Sequence, residues 1–106
     1  MSKAVWHISY KLVAGANVQD FLLASKKCHD DALSKSKGFI SWDLLRDGDT
    51  WVDYVTWETM EDAVNAEGDD NEATKHPSAL AFYAFIDPST LKGTSYTVEK
   101  RHYYQN

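Results

Sequence analysis

The stretch from Thr50 to Ile86 constrains this chain most. Trp51-Val-Asp-Tyr-Val-Thr-Trp57 carries the β-branched and aromatic residues of a strand. It runs directly into Glu58-Thr-Met-Glu-Asp-Ala63 and then into two helical segments. An aromatic strand handing over to helices midway through about a hundred residues leaves few topologies open.

The flanking segments narrow them further. Ala4–Leu12 alternates, with Trp6, Ile8, Tyr10 and Leu12 on one face and Val5, His7 and Ser9 on the other. Gly15-Ala-Asn17 breaks it, and Asn17 is placed to cap a helix with Val18, Phe21, Leu22, Ser25, His29, Ala32 and Leu33 at helical spacing. Lys37-Gly38 is expected to end that helix. A second strand, Phe39–Arg46, follows, then the turn residues Asp47-Gly-Asp49 of a hairpin. Thr59 with Asp62 three residues on resembles a capping box. The helix it opens is expected to be interrupted at Gly68-Asp-Asp-Asn71. Pro77 then starts a second segment, Ser78–Ile86, which Asp87-Pro88 stops. Gly93–Tyr104 is expected as the last strand.

The resulting order, β-α-β-β-α-β with the second α split, predicts an α+β fold of ferredoxin-like type. Its four-stranded antiparallel sheet carries helices on one face. The chain is one domain over residues 1–106, large enough for a modest core. Of 14 aromatic residues, ten fall on the expected strands, and both faces of the Trp51–Trp57 strand carry large apolar groups. A sheet with one wet face alternates more cleanly. The second face is therefore expected to pack against another copy, as a homodimer.

Charge and cysteine content exclude several classes. The net charge is −5, and Glu58–Glu72 holds seven acidic residues and no basic one, which argues against nucleic acid and anionic membranes as partners. Cys28 is the sole cysteine, so neither an internal disulfide nor a cysteine-rich zinc cage is expected. Metal is not expected, because the four His residues are scattered. The amino-terminal residues lack the apolar run of a signal peptide and no stretch has the length of a membrane helix, which points to the cytoplasm.

Lys37-Gly-Phe39, Trp57-Glu-Thr-Met-Glu-Asp-Ala63 and Lys75-His-Pro-Ser-Ala-Leu-Ala-Phe82 resemble the antibiotic-biosynthesis-monooxygenase-like family of dimeric α+β barrels. The resemblance implies a barrel-like dimer and a small organic ligand, with no tightly held cofactor. In the cofactor-free oxygenases of that family, the Trp of the Trp-Glu-Ser/Thr block and an Asn four residues before it line the pocket. Trp57 matches the first, but Asp53 stands in place of the Asn. An Asn amide donates to a substrate enolate, whereas an ionised Asp repels it unless burial keeps the acid neutral. The haem-degrading branch has an Asn on strand one, a Trp in the second helical region and an axial His. Only His76 answers to that pattern, one feature of three, so haem oxygenation is not the leading reading.

The candidate catalytic residues are Asp53, His7 and His76. His7 and Asp53 lie on neighbouring strands and are weighed as an acid/base pair against a merely structural contact. His76 is weighed between a pocket role and a surface turn. The candidate ligand-binding residues are Trp57, Trp42 and Tyr83. Two functions stay open: a monooxygenase-like or isomerase-like enzyme acting on aromatic or carbonyl-bearing molecules, and a non-catalytic ligand-binding or structural homodimer.

Overall fold

A computed structural model describes residues 2–67 and 72–104. The elements follow in the order β1 (Ala4–Lys11), α1 (Val18–Asp31), β2 (Phe39–Asp47), β3 (Thr50–Trp57), α2 (Met60–Glu67), α3 (Glu72–Lys75), α4 (Pro77–Tyr83) and β4 (Lys92–Thr97). The strands form one antiparallel sheet in the order β2-β3-β1-β4, as the ferredoxin-like expectation requires. The expected interruption at Gly68–Asn71 lies outside the described residues.

Local chemistry accounts for most boundaries. The Asn17 side chain accepts from the Asp20 amide at 3.0 Å, capping α1. Thr59 does the same for the Asp62 amide at 3.0 Å at the start of α2. The β2–β3 hairpin turns on Gly48, whose φ of 62° suits the first central position of a tight turn.

Three boundaries differ from expectation. α1 ends at Asp31, well before Gly38, and a 3-10 turn at Leu33–Lys35 intervenes. Gly38 instead turns the chain into β2 at φ 82°, packed so tightly that a Cβ there would collide with the Asp62 side chain. α4 stops at Tyr83 because Ile86 leaves it to bridge Leu12 at the end of β1. β4 covers only Lys92–Thr97: its partner strand begins at Ala4, so pairing runs out, and Val98 makes one last bond to the Lys3 carbonyl. Tyr103 and Tyr104 are therefore exposed and outside the sheet.

The core lies between sheet and helices in two parts. Trp57 and Trp6 meet at 4.7 Å between ring centroids, with Ala4, Val55, Ala63 and Ala66 around them. Phe21 packs against Trp51, Phe82 and Tyr10 in the other part, closed by Cys28 and Ala79. No helix of the described residues is long and apolar enough to cross a membrane.

Candidate functional site

Alternation along β3 points Trp51, Asp53, Val55 and Trp57 toward the helices, so one carboxylate enters an otherwise apolar row. Asp53 is 8% exposed. A charge so placed needs partners. Tyr10 on β1 donates to Asp53 Oδ1 at 2.7 Å, and the Trp42 indole on β2 donates to the same oxygen at 3.2 Å. Both donors converge on Oδ1, and neither bonds Oδ2.

Asp53 forms part of the wall of a cavity of about 80 Å³. The sheet supplies Trp6, Ile8, Trp42, Asp53 and Val55; α1 and the turn after it supply Cys28, Ala32, Leu33 and Ser36. Ala66, Thr74, Ala79, Phe82 and Tyr83 close it from the second helical region. A wider hollow of about 260 Å³ shares Ile8, Asp53 and Tyr83 with this cavity and adds Ile86, Pro88 and Leu91. Trp42 meets Phe82 edge to face at 5.2 Å, giving the cavity a firm aromatic side.

Burial sets the protonation states. It pushes the Asp53 carboxyl up to about 6, against the opposing pull of the Tyr10 and Trp42 hydrogen bonds. Burial, with the Asp53 charge adding to it, drives the Tyr10 hydroxyl far above its ordinary range. Burial followed by the charges of Asp53 and Asp31 raises the Cys28 thiol to about 11. Burial, then Cys28 and Asp53, raises the Tyr83 hydroxyl to about 12. Near neutral pH Asp53 is thus an anion among three protonated groups.

Of the candidate site residues, Asp53, Trp42 and Tyr83 line the cavity. Trp57 shares the Asp53 face but is wholly buried behind the cavity wall, against Trp6 and Phe39. Its indole nitrogen has no hydrogen-bond partner among the described residues, and its part is structural packing beside the cavity. His7 does not approach Asp53. The register sets Ile8 opposite Asp53 and His7 opposite Tyr54, on the other face of the sheet, where His7 is exposed. His76 lies outside the cavity wall and caps α4, its Nδ1 accepting from the Ser78 amide at 3.1 Å.

Three participants escape a reading of the sequence alone. Tyr10 lies on the inward face of β1, where a polar tip among Trp6 and Ile8 was the available signal. Cys28 and Ser36 reach the cavity through the helix and turn, and no spacing rule marks them. Among the described residues, no three His, Cys, Asp or Glu side chains gather as metal ligands.

No protein-family model matches the sequence, and no curated protein matches it. Solved structures do. The cofactor-independent oxygenase SnoaB from Streptomyces nogalater superposes with a TM-score of 0.71 at 14% identity, covering 95% of this chain and 97% of that one. The fold is that of the antibiotic-biosynthesis-monooxygenase-like proteins. The monooxygenase of ActVA-Orf6 from Streptomyces coelicolor, solved with the ligand nanaomycin D, gives a TM-score of 0.69 at 17% identity over 98% of this chain and 94% of that one. A conserved protein of unknown function from Bacteroides thetaiotaomicron gives 0.62 at 14% identity, covering 92% and 98%. Identities this low establish a common monooxygenase-like fold and leave the chemistry to the site.

Proposed function

We propose that this monooxygenase-like domain binds a small neutral aromatic or carbonyl-bearing molecule, and that Asp53 withdraws a proton from it without a tightly held cofactor. One observation carries the proposal: a buried carboxylate, ionised near neutral pH, forms part of the wall of an apolar cavity. Its two donors hold Oδ1, leaving Oδ2 as the oxygen with no bond to either.

The Asp in place of the oxygenase Asn selects the charge of the ligand. A ligand arriving as an anion meets repulsion from Asp53 in a low-dielectric site. A ligand arriving neutral meets none. Transfer of its proton to Oδ2 moves the negative charge from protein to ligand and leaves a neutral acid that donates a hydrogen bond back. The deprotonated aromatic or enolic species is the electron-rich form that reacts directly with dioxygen, in keeping with the oxygenase chemistry named for SnoaB.

The same proposal includes a homodimer formed through the sheet face away from the helices. Leu45 and Tyr96 are exposed on that face beside Val52 and Tyr54. The buried, unpaired Cys28 suits a reducing compartment, so the proposal places the protein in the cytoplasm.

Titration of tryptophan fluorescence with 2-naphthol tests the binding, since Trp6 and Trp42 line the cavity. Saturable quenching is expected, and Ala32→Leu, which fills the cavity, is expected to remove it. Quenching that is absent, or unchanged in the variant, contradicts the proposal. Oxygen uptake with 1,4-dihydroxynaphthalene above the buffer rate then separates an oxygenase from a pocket that only holds its ligand. Uptake at the buffer rate is expected, because no amide stands where the Asn of the oxygenases would hold the anion, and proton withdrawal by Asp53 then proceeds without oxidation.

A further inference from the structure

The inner cavity and the outer hollow meet at three shared residues, Ile8, Asp53 and Tyr83. Two of the three are polar, and they come from opposite walls: Asp53 from the sheet and Tyr83 from α4. A molecule spanning the two spaces passes between a carboxylate and a phenol. Ile8 keeps the third side apolar.

Taking the ligand-binding reading above as its basis, we infer that Asp53 and Tyr83 act together as a proton-transfer pair on a ketone, Asp53 as base and Tyr83 as hydrogen-bond donor to the carbonyl oxygen. The site would then catalyse enolisation, and for a conjugated ketone a 1,3-shift of the double bond, with no oxygen consumed.

The assignment of roles follows from what each group can do. Tyr83 keeps its proton at neutral pH and can donate it, whereas Asp53 has lost its own and can only accept. Tyr10 and Trp42 occupy Oδ1 of Asp53, so the attacking oxygen is Oδ2 and the carboxylate cannot swing freely.

The step balances without a co-reactant. Oδ2 takes the α-hydrogen as a proton, and the C–H electron pair becomes a carbon–carbon double bond. The carbonyl π pair moves onto oxygen, where the Tyr83 hydroxyl holds it. Oδ2 then returns the proton, either to the same carbon or to the γ carbon of a conjugated system. Nothing is oxidised or reduced. Removing an aligned donor of this kind typically costs about 10²–10³-fold in rate.

The probe is 2-indanone, a flat ketone with acidic α-hydrogens. Its binding is followed by tryptophan fluorescence, and its exchange in deuterium oxide by loss of the α-proton NMR signal. The wild-type protein is expected to bind the ketone and to exchange its α-protons faster than buffer does. Tyr83→Phe is expected to lower kcat for exchange at least 10-fold with KM changed less than 3-fold, and Asp53→Asn to reduce exchange to the buffer rate. Binding without exchange overturns this inference while leaving the ligand-binding reading intact. Failure to bind 2-indanone and 2-naphthol alike overturns both. Full activity in Tyr83→Phe overturns the role given to Tyr83, because a phenylalanine ring fills the same space and lacks only the donor.

Discussion

Asp53 is held where its charge is disfavoured, and this has a thermodynamic signature. Its carboxyl is raised by burial to about 6 from an ordinary value of 3.8. Between those values the folded protein keeps a proton that the unfolded chain has released, so the protonated Asp53 supports folding at low pH and that support is lost as pH rises through about 6. At about 1.4 kcal/mol per pH unit, the loss amounts to as much as about 3 kcal/mol. Asp53→Asn keeps the shape and an acceptor for Tyr10 and Trp42 without the charge. It is expected to stabilise the protein at pH 7.5 by about 1–3 kcal/mol and to change little at pH 4, read from urea unfolding at the two pH values. Equal effects at both would deny the burial cost. That Asp53 shares a face with Trp57 was legible, because side chains alternate along β3 whatever the tertiary structure; which of the two faces turns inward was not. Nor was the partner of Asp53. A strand register that differs by one residue moves a side chain to the other face, and the observed register gives Asp53 the neighbour Ile8 and sends His7 outward. The hydroxyl that does reach Asp53 belongs to Tyr10, two strand positions beyond Ile8 on the same face, and apolar patterning alone hides it.

At the scale of elements, turn chemistry and capping were readable because they depend on a few consecutive residues. Asn17, Thr59, Pro77 and the Asp47-Gly48 hairpin all act where the sequence places them. Element ends set by distant partners were not readable: Leu12 draws Ile86 out of α4, and β4 stops where β1 has no more residues to pair. Gly38 shows the difference most clearly. A glycine after a helix reads as a helix stop, yet its constraint comes from Asp62, which is 24 positions away in sequence. Gly38 and Gly48 both have positive φ, but no atom lies near the space a Cβ would take at Gly48. Gly48→Ala is therefore expected to cost only the backbone penalty of about 1–2 kcal/mol. Gly38→Ala adds a collision with a buried side chain and is expected to cost at least about 1 kcal/mol more. Chemical denaturation of the two variants decides this. Equal losses would mean that Asp62 moves aside freely.

For the whole molecule, the sheet has one face sealed by helices and one face bearing Leu45, Val52, Tyr54 and Tyr96. Apolar groups clustered on one face of a small domain are best covered by a second copy. Sedimentation equilibrium at micromolar concentration is expected to give about twice the 12.0 kDa chain mass, falling toward the monomer in Tyr54→Lys. A monomeric wild type would refute the dimer and leave those side chains unexplained.

The central claim is that Asp53 titrates near neutrality in a cavity that a neutral ligand enters. Carbon-13 NMR of the Asp53 side-chain carboxyl, followed across pH with and without 2-naphthol, addresses it directly. The expected midpoint in the free protein is about 6, and 2-naphthol is expected to shift both the resonance and its midpoint. A midpoint near 4, with a resonance that the ligand leaves untouched, would contradict the claim.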